Sequence, residues 1–237
     1  MIARICVVLM FAFSLVPCCI AQLPAGLVAG FGFDEGTGTT ASDSSGNGNI
    51  AALRNGVTWT AGHFGNGLAF DGTSGYLSMP NSPSLDISGN GLTLSLWINP
   101  QPLNGGDSVV FGKFWNTTMT SPFYQYGLEL NGGNRPFFFI GTNSGFLYAD
   151  MGSTLAYGQW THLAITFDGS QASFYRNGTL INSVPLAATI QARGNSINVG
   201  ADITPAQFFK GSMDELKIYG RSLSPAEVLT DMNTALP

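Results

Sequence analysis

The chain has 237 residues, of which 44 % are hydrophobic and only 10 % charged, with 31 Gly and 12 Pro. That usage suits a turn-rich β protein and excludes a coiled coil or a disordered chain; the length suits an all-β sandwich built as one domain. The formal net charge is −5, with no basic run and no stripe of Arg interleaved with aromatic residues, which excludes nucleic acid as a partner.

Residues 1–21 contain a lone Arg4, an apolar run from Ile5 to Val16, and Cys19-Ile20-Ala21 ahead of Gln22. This is the layout of a secretory signal peptide, and the run is too short for a membrane span. The expected location is secreted, extracellular, or periplasmic in a bacterium. A lipid anchor on Cys18 or Cys19 is the rival reading, disfavoured by Pro17 before Cys18 and by Cys18 before Cys19. All three cysteines, Cys6, Cys18 and Cys19, fall in this segment, so the mature chain is expected to hold no disulfide. Loss of Arg4 leaves 8 basic and 14 acidic side chains, a net charge of −6.

Beyond the leader, short apolar or alternating runs are separated by Gly, Asn, Asp and Ser. They predict strands over 27–33, 67–70, 76–79, 92–98, 108–114, 124–130, 137–141, 146–150, 161–167, 172–176, 179–184, 197–199 and 208–219. Asp168-Gly169 and Asn177-Gly178 accept positive φ at both central positions of a tight hairpin turn, so residues 160–184 are expected to form a three-strand meander. Within it Leu163, Ile165 and Phe167 mark the core face. In the last strand, alternation places Asp214 on one face with Ser212, Leu216 and Ile218, and Met213 on the other with Glu215, Lys217 and Tyr219. One helix is predicted: Ser224 caps it, Pro225 opens it, Glu227 returns to the cap, and it ends near Met232. No linker, repeat or composition shift divides residues 22–237.

Several segments together resemble the LamG-like jellyroll, a branch of the concanavalin A-like lectin/glucanase sandwiches. They are Phe31-Gly-Phe-Asp-Glu-Gly-Thr-Gly38, Asp43-Ser-Ser-Gly-Asn-Gly-Asn49, Gly65-Asn-Gly-Leu-Ala-Phe-Asp-Gly72, Leu92-Thr-Leu-Ser-Leu-Trp-Ile98, Gln159-Trp-Thr-His-Leu-Ala-Ile-Thr-Phe-Asp-Gly169, Phe174-Tyr-Arg-Asn-Gly178 and Met213-Asp-Glu-Leu-Lys-Ile-Tyr219. The resemblance covers nearly all of residues 25–232. It implies an all-β, two-sheet antiparallel jellyroll sandwich over 22–237, closed by a short C-terminal helix. It also implies a structural calcium where the first long loop meets the last strand, which falls here on Asp43, Asn47 and Asp214. The bland alternative is an Asx-turn at Asp43 and a hydrogen-bonded Asp214.

Phe114-Trp-Asn-Thr-Thr-Met-Thr-Ser-Pro-Phe-Tyr-Gln-Tyr126 is the aromatic segment best suited to a ligand. Rings stack on sugars while Asn, Gln and Thr satisfy hydroxyls, so Trp115 and Tyr124 are the expected platforms. The competing assignment leaves Phe123 and Tyr126 in the core. His63 and His162 stand apart from any nucleophile motif, and His162 is expected to pack and hydrogen-bond within the sandwich. Asn116-Thr-Thr and Asn177-Gly-Thr match glycosylation sequons.

Glucanases of this architecture resemble one another in a Glu-x-Asp-x-x-Glu strand, which this chain does not contain. Its adjacent pairs Asp34-Glu35 and Asp214-Glu215 are expected to point to opposite faces. The function expected is therefore a secreted, non-catalytic, lectin-like module that binds a glycan or an extracellular protein, with structural calcium. The alternative is a secreted glycoside hydrolase or lyase of the same architecture, and a structural surface or matrix protein is a third class. Leader and sandwich account for the 237 residues, so any activity is expected in the sandwich or in a partner.

Overall fold

Strands whose alternate side chains are apolar bury one face, and two such sheets stacked face to face make a sandwich. The computed structural model describes residues 22–103 and 106–237; the leader and its cysteines lie outside the described residues. One antiparallel sheet orders β4 (Thr58–Ala61), β5 (Asn66–Asp71), β16 (Lys210–Tyr219), β7 (Leu92–Pro100), β12 (Thr161–Phe167), β13 (Gln171–Arg176) and β14 (Thr179–Pro185), with β1 (Leu27–Phe31) also paired to β16. The other orders β2 (Thr40–Ser42), β3 (Ile50–Arg54), β6 (Tyr76–Met79), β15 (Ile197–Val199), β8 (Ser108–Phe114), β9 (Tyr124–Leu130), β10 (Pro136–Thr142) and β11 (Gly145–Asp150). Leu94, Leu96, Leu163, Ile165, Phe167 and Phe174 from the first sheet meet Leu77, Val110, Leu128, Phe138 and Ile140 from the second in one buried core. No helix among the described residues is long and apolar enough to cross a membrane.

Both hairpins join β12, β13 and β14, but only Asn177-Gly178 makes the expected two-residue turn, with φ 50° and 73°; at the first hairpin only Gly169 has positive φ, and residues 168–171 form a longer loop closed by the Asp168 N–H on the Gln171 carbonyl. Helix α1 (Pro225–Met232) starts on the predicted capping box: the Ser224 side chain accepts from the Glu227 N–H, and the Glu227 carboxylate accepts from the Ser224 N–H. Arg221 clamps that carboxylate through two nitrogens, at 2.6 and 3.0 Å.

Strand β16 departs from simple alternation. Asp214 pairs with Trp97 and Lys217 with Ser95, so Glu215 and Leu216 of β16 oppose the single Leu96 of β7, and Glu215 is the extra residue, at φ 53°. This bulge shifts the phase. Met213, Leu216 and Ile218 all enter the core, whereas Asp214 is on the opposite face, against the expectation that it shares a row with Leu216 and Ile218. Strands β2, β3 and β4 were absent from the sequence prediction. They are short, lie at or next to sheet edges, and bury little beyond Ala41 and Ala51, so they carry no apolar alternation of their own.

Candidate functional site

Strands β10 and β11 carry aromatic residues at alternate positions, Phe137 and Phe139 on one, Phe146 and Tyr148 on the other. Period two puts each pair on one side of its strand, and the register sets Phe139 opposite Tyr148 and Gly141 opposite Phe146. Since Phe138, Ile140 and Ala149 fill the core, the four rings stand on the outer face. Their centroids lie 5.7–6.3 Å apart, and Phe123 reaches Phe146 at 5.5 Å. Phe146 and Tyr148 remain 39 % and 56 % exposed. Sequence reasoning found these strands but not their shared face; the signal was the pair of i, i+2 aromatics on either side of the 142–145 turn.

Two adjoining clefts open on this face, of about 340 and 390 Å³, and both are lined by Glu129, Phe139 and Phe146. The first adds Asp107, Asn131, Phe137 and Tyr148; the second adds Met119, Phe123, Tyr124, Asp202 and Gln207. Tyr124 is part of their floor. Gly112 and Gly127 pair across β8 and β9, and a Cβ on either would meet the Tyr124 ring at 2.8 or 2.9 Å, so only this glycine pair lets the ring lie there. Burial pushes Glu129 up to about 7, the Tyr124 hydroxyl pulling it down and Asp107 and Asp202 pushing it further up.

The two platforms expected on the 114–126 segment fare differently from the expectation. Tyr124 is 2 % exposed, packed with Val109 and Phe114, so it is a floor rather than an open stacking ring. Trp115 is half-buried: its ring lies against Gly141, and the Arg193 guanidinium covers it at 3.5 Å from the centroid. Arg193 is itself held by Asn143 and Gln191. The segment contributes Met119 and Phe123 to the cleft rim instead.

Asp43, Asn47 and Asp214 do not converge. Both Asp43 oxygens are occupied by protein donors: the N–H groups of Gly30, Ser45 and Asn49, the Ser45 hydroxyl and the Asn49 amide. Asn47 turns its amide N–H toward the Val28 carbonyl, which Asn49 and Ser45 also reach. Asp214, on β16, reaches a different loop: its Oδ2 accepts from the N–H groups of His63 and Phe64 at 2.8 Å each, and its Oδ1 has no partner among the described residues. A hard cation needs open oxygen lone pairs aimed at one point. The side chains present do not fit a calcium shared by these three residues. Among the described residues no group of three or more His, Cys, Asp or Glu side chains is gathered for a metal.

Burial pushes Asp214 up to about 7, with the Phe64 and His63 N–H groups pulling the other way. The folded protein therefore binds a proton at Asp214 that the unfolded chain releases near the ordinary carboxylate value of 3.8. Stability contributed by that proton is present below about pH 4 and is lost as pH rises through the folded value near 7. Melting temperatures recorded at pH 5 and pH 8 are expected to show a smaller fall for Asp214→Asn than for the parent. An equal fall in both would show that Asp214 does not titrate in this window.

On the same sheet face, Ser95, His162 and Asp231 meet beneath α1. Ser95 Oγ lies 2.9 Å from His162 Nε2 and 2.5 Å from Asp231 Oδ2, and His162 Nε2 lies 3.4 Å from that same oxygen. A hydrolytic triad needs the acid on one imidazole nitrogen and the nucleophile on the other. Here both converge on Nε2, Nδ1 has no partner, and all three side chains are buried. The cluster is structural, as expected of His162.

A family model described as the concanavalin A-like lectin/glucanases superfamily, of the laminin G type, matches residues 71–229. The chain belongs to that superfamily. Among solved structures, the superfamily fold recurs in domain 4 of AbnA, a GH43 extracellular arabinanase from Geobacillus stearothermophilus solved with arabinotriose; identity is 23 %, TM-score 0.68, with 87 % of this chain and 98 % of that one covered. The binding domain of Paraclostridial Mosquitocidal Protein 1 matches at 20 % identity and TM-score 0.71, over 90 % of this chain and 53 % of that one. The botulinum neurotoxin serotype G binding domain matches at 15 % identity and TM-score 0.67, over 87 % and 50 %. This chain thus spans about half the length of the two toxin chains. No match was found among curated proteins.

Proposed function

We propose that the protein is an exported, non-catalytic jellyroll that binds a glycan on the aromatic face of β10 and β11. The observation that carries this reading is the exposure of Phe146 and Tyr148 beside Phe137 and Phe139, on clefts that also present Glu129, Asn131 and Gln207. Such rings present flat apolar faces to a sugar, and the polar groups at their edges satisfy its hydroxyls. A contiguous apolar patch of this kind on a surface otherwise rich in polar residues marks a binding site. The similar arabinanase domain was solved with an oligosaccharide, which supports the same ligand class here. The leader over 1–21 supports export.

Binding without hydrolysis fits what the other carboxylates do. Asp34 accepts from the Asn66 N–H, Glu35 from the Ser42 N–H, Asp214 from the 63–64 turn and Glu215 from the Leu236 N–H. Each holds a backbone segment in place. Calorimetric titration with a panel of plant and microbial oligosaccharides is expected to find a ligand whose affinity drops about tenfold in Tyr148→Ala, an exposed ring whose loss leaves the melting temperature unchanged. Unaltered affinity in that variant would place the site elsewhere. Release of reducing ends from a polysaccharide would replace this reading with the hydrolase.

A further inference from the structure

We propose that this cleft selects polysaccharides bearing free amino groups, and that Glu129 is the residue that recognises their positive charge. The inference rests on the glycan reading above and narrows it to a ligand class. Three carboxylates, Asp107, Glu129 and Asp202, line the two clefts, and no Lys or Arg lines either among the described residues. Aromatic rings present the negative face of their quadrupole to a cation, so rings combined with carboxylates form a receptor for an ammonium group rather than for a neutral or acidic one.

The same face holds one cation in this manner already. At its end the Arg135 guanidinium lies 5.2 Å over the Phe137 ring and is paired with Asp150 at 3.2 Å. Within the cleft, Phe139 and Phe146 beside Glu129 repeat that combination of ring and carboxylate with no cation of the protein lining it.

A second feature points into the cleft. The Tyr124 hydroxyl is buried in the cleft floor, close enough to Glu129 to lower its proton affinity, yet it makes no hydrogen bond of good geometry. A buried hydroxyl left unpaired costs stability, and a ligand N–H or O–H beside Glu129 would satisfy it. Asp202 and Asp107 are anchored, the first by the Ala206 N–H and the second by the Gly132 N–H. Their charges are therefore held near Glu129, where they raise its proton affinity. An ammonium group entering among three carboxylates relieves that repulsion, whereas a uronate or sulfate adds to it.

The test is calorimetric titration of the full chain near neutral pH and at low salt with three oligomers of equal length: β-1,4-linked glucosamine, its N-acetylated counterpart, and a uronate. The glucosamine oligomer is expected to bind about tenfold or more tighter than the N-acetylated one, and the uronate most weakly. Glu129→Gln, which keeps the shape and removes the charge, is expected to reduce the ratio between the first two to about threefold or less. Asp107→Asn, at an exposed position, serves as a second variant and is expected to shift the ratio in the same direction. Equal affinities for the amine and the N-acetylated oligomer would overturn the charge selectivity while leaving glycan binding in place. So would a ratio that Glu129→Gln leaves intact. Silence of all three oligomers, together with silence of the wider oligosaccharide panel, would overturn the glycan reading along with it.

Discussion

Asp231→Ala is expected to destabilise the protein by about 3–5 kcal/mol, the range found when one member of a buried charged network is removed. Asp231 is fully buried and serves four groups at once. Its carboxylate accepts from Ser95 Oγ and from Tyr219 Oη, each at 2.5 Å, and faces His162 Nε2 at 3.4 Å and Lys217 Nζ at 3.7 Å. Burial by itself would raise its proton affinity, but the hydrogen bonds from His162, Ser95 and Tyr219 and the charge of Lys217 win, and the group is held below the usual carboxylate value. Truncation would leave Lys217 with Glu215 at 3.1 Å and the Asp231 and Thr234 carbonyls, while Ser95, His162 and Tyr219 lose their shared acceptor. Because those residues lie on β7, β12 and β16 and Asp231 on α1, the loss is expected to free the helix from the sheet. Urea unfolding measures it, with hydrogen exchange in α1 as the local readout. A change below about 1 kcal/mol would mean that the cluster repacks around water.

Gly141→Ala is the second large effect, at about 3 kcal/mol or more, because the added methyl has no direction in which to escape. A Cβ there would run into the Tyr124 backbone carbonyl and would come within 2.6 Å of the Trp115 ring. Overpacking in a sheet interior ordinarily costs ~1–3 kcal/mol, and a backbone obstacle places this site at or beyond the top of that range. Trp115 cannot swing away, since Arg193 lies over its ring and its main chain is tied through the Phe123 carbonyl and the Asn195 amide. The corollary is that Trp115→Ala also destabilises the fold, by about 3–5 kcal/mol if the site cannot collapse. It is a fastener between the 114–126 segment and the β10–β11 hairpin. Thermal melts of the two variants test this, and a melting temperature within a degree or two of the parent in both would show that the segment is not fastened there.

The sandwich was legible in the chain because its central strands are amphipathic on their own account. The ranges 76–79, 108–114, 124–130, 161–167 and 197–199 coincide with the observed strands, and the capping box placed the helix. Strands β2, β3 and β4 were not legible, since they become strands by pairing with neighbours rather than by burying apolar faces. The site was legible only in part. The aromatic 114–126 segment does border the cleft, but the platform is the β10–β11 face, and which of its rings are free depends on what covers them.

Turn dipeptides, apolar alternation and the Ser-Pro-Ala-Glu cap are local, so they specify the β architecture, the meander and the closing helix without reference to distant residues. Tertiary structure alone decided the rest, because each remaining question concerns residues far apart in the chain. A single bulge at Glu215 put Asp214 on the face opposite Leu216 and Ile218, a change that the period-two pattern has no means of showing. Arg193, 78 residues beyond Trp115 (193 − 115), covers that ring and leaves it half-buried. The glycine pair at 112 and 127 admits Tyr124 to the floor, and Glu129 comes to stand among rings drawn from two other strands. Burial and charge at a site are sums over such distant neighbours, and only the folded chain assembles them.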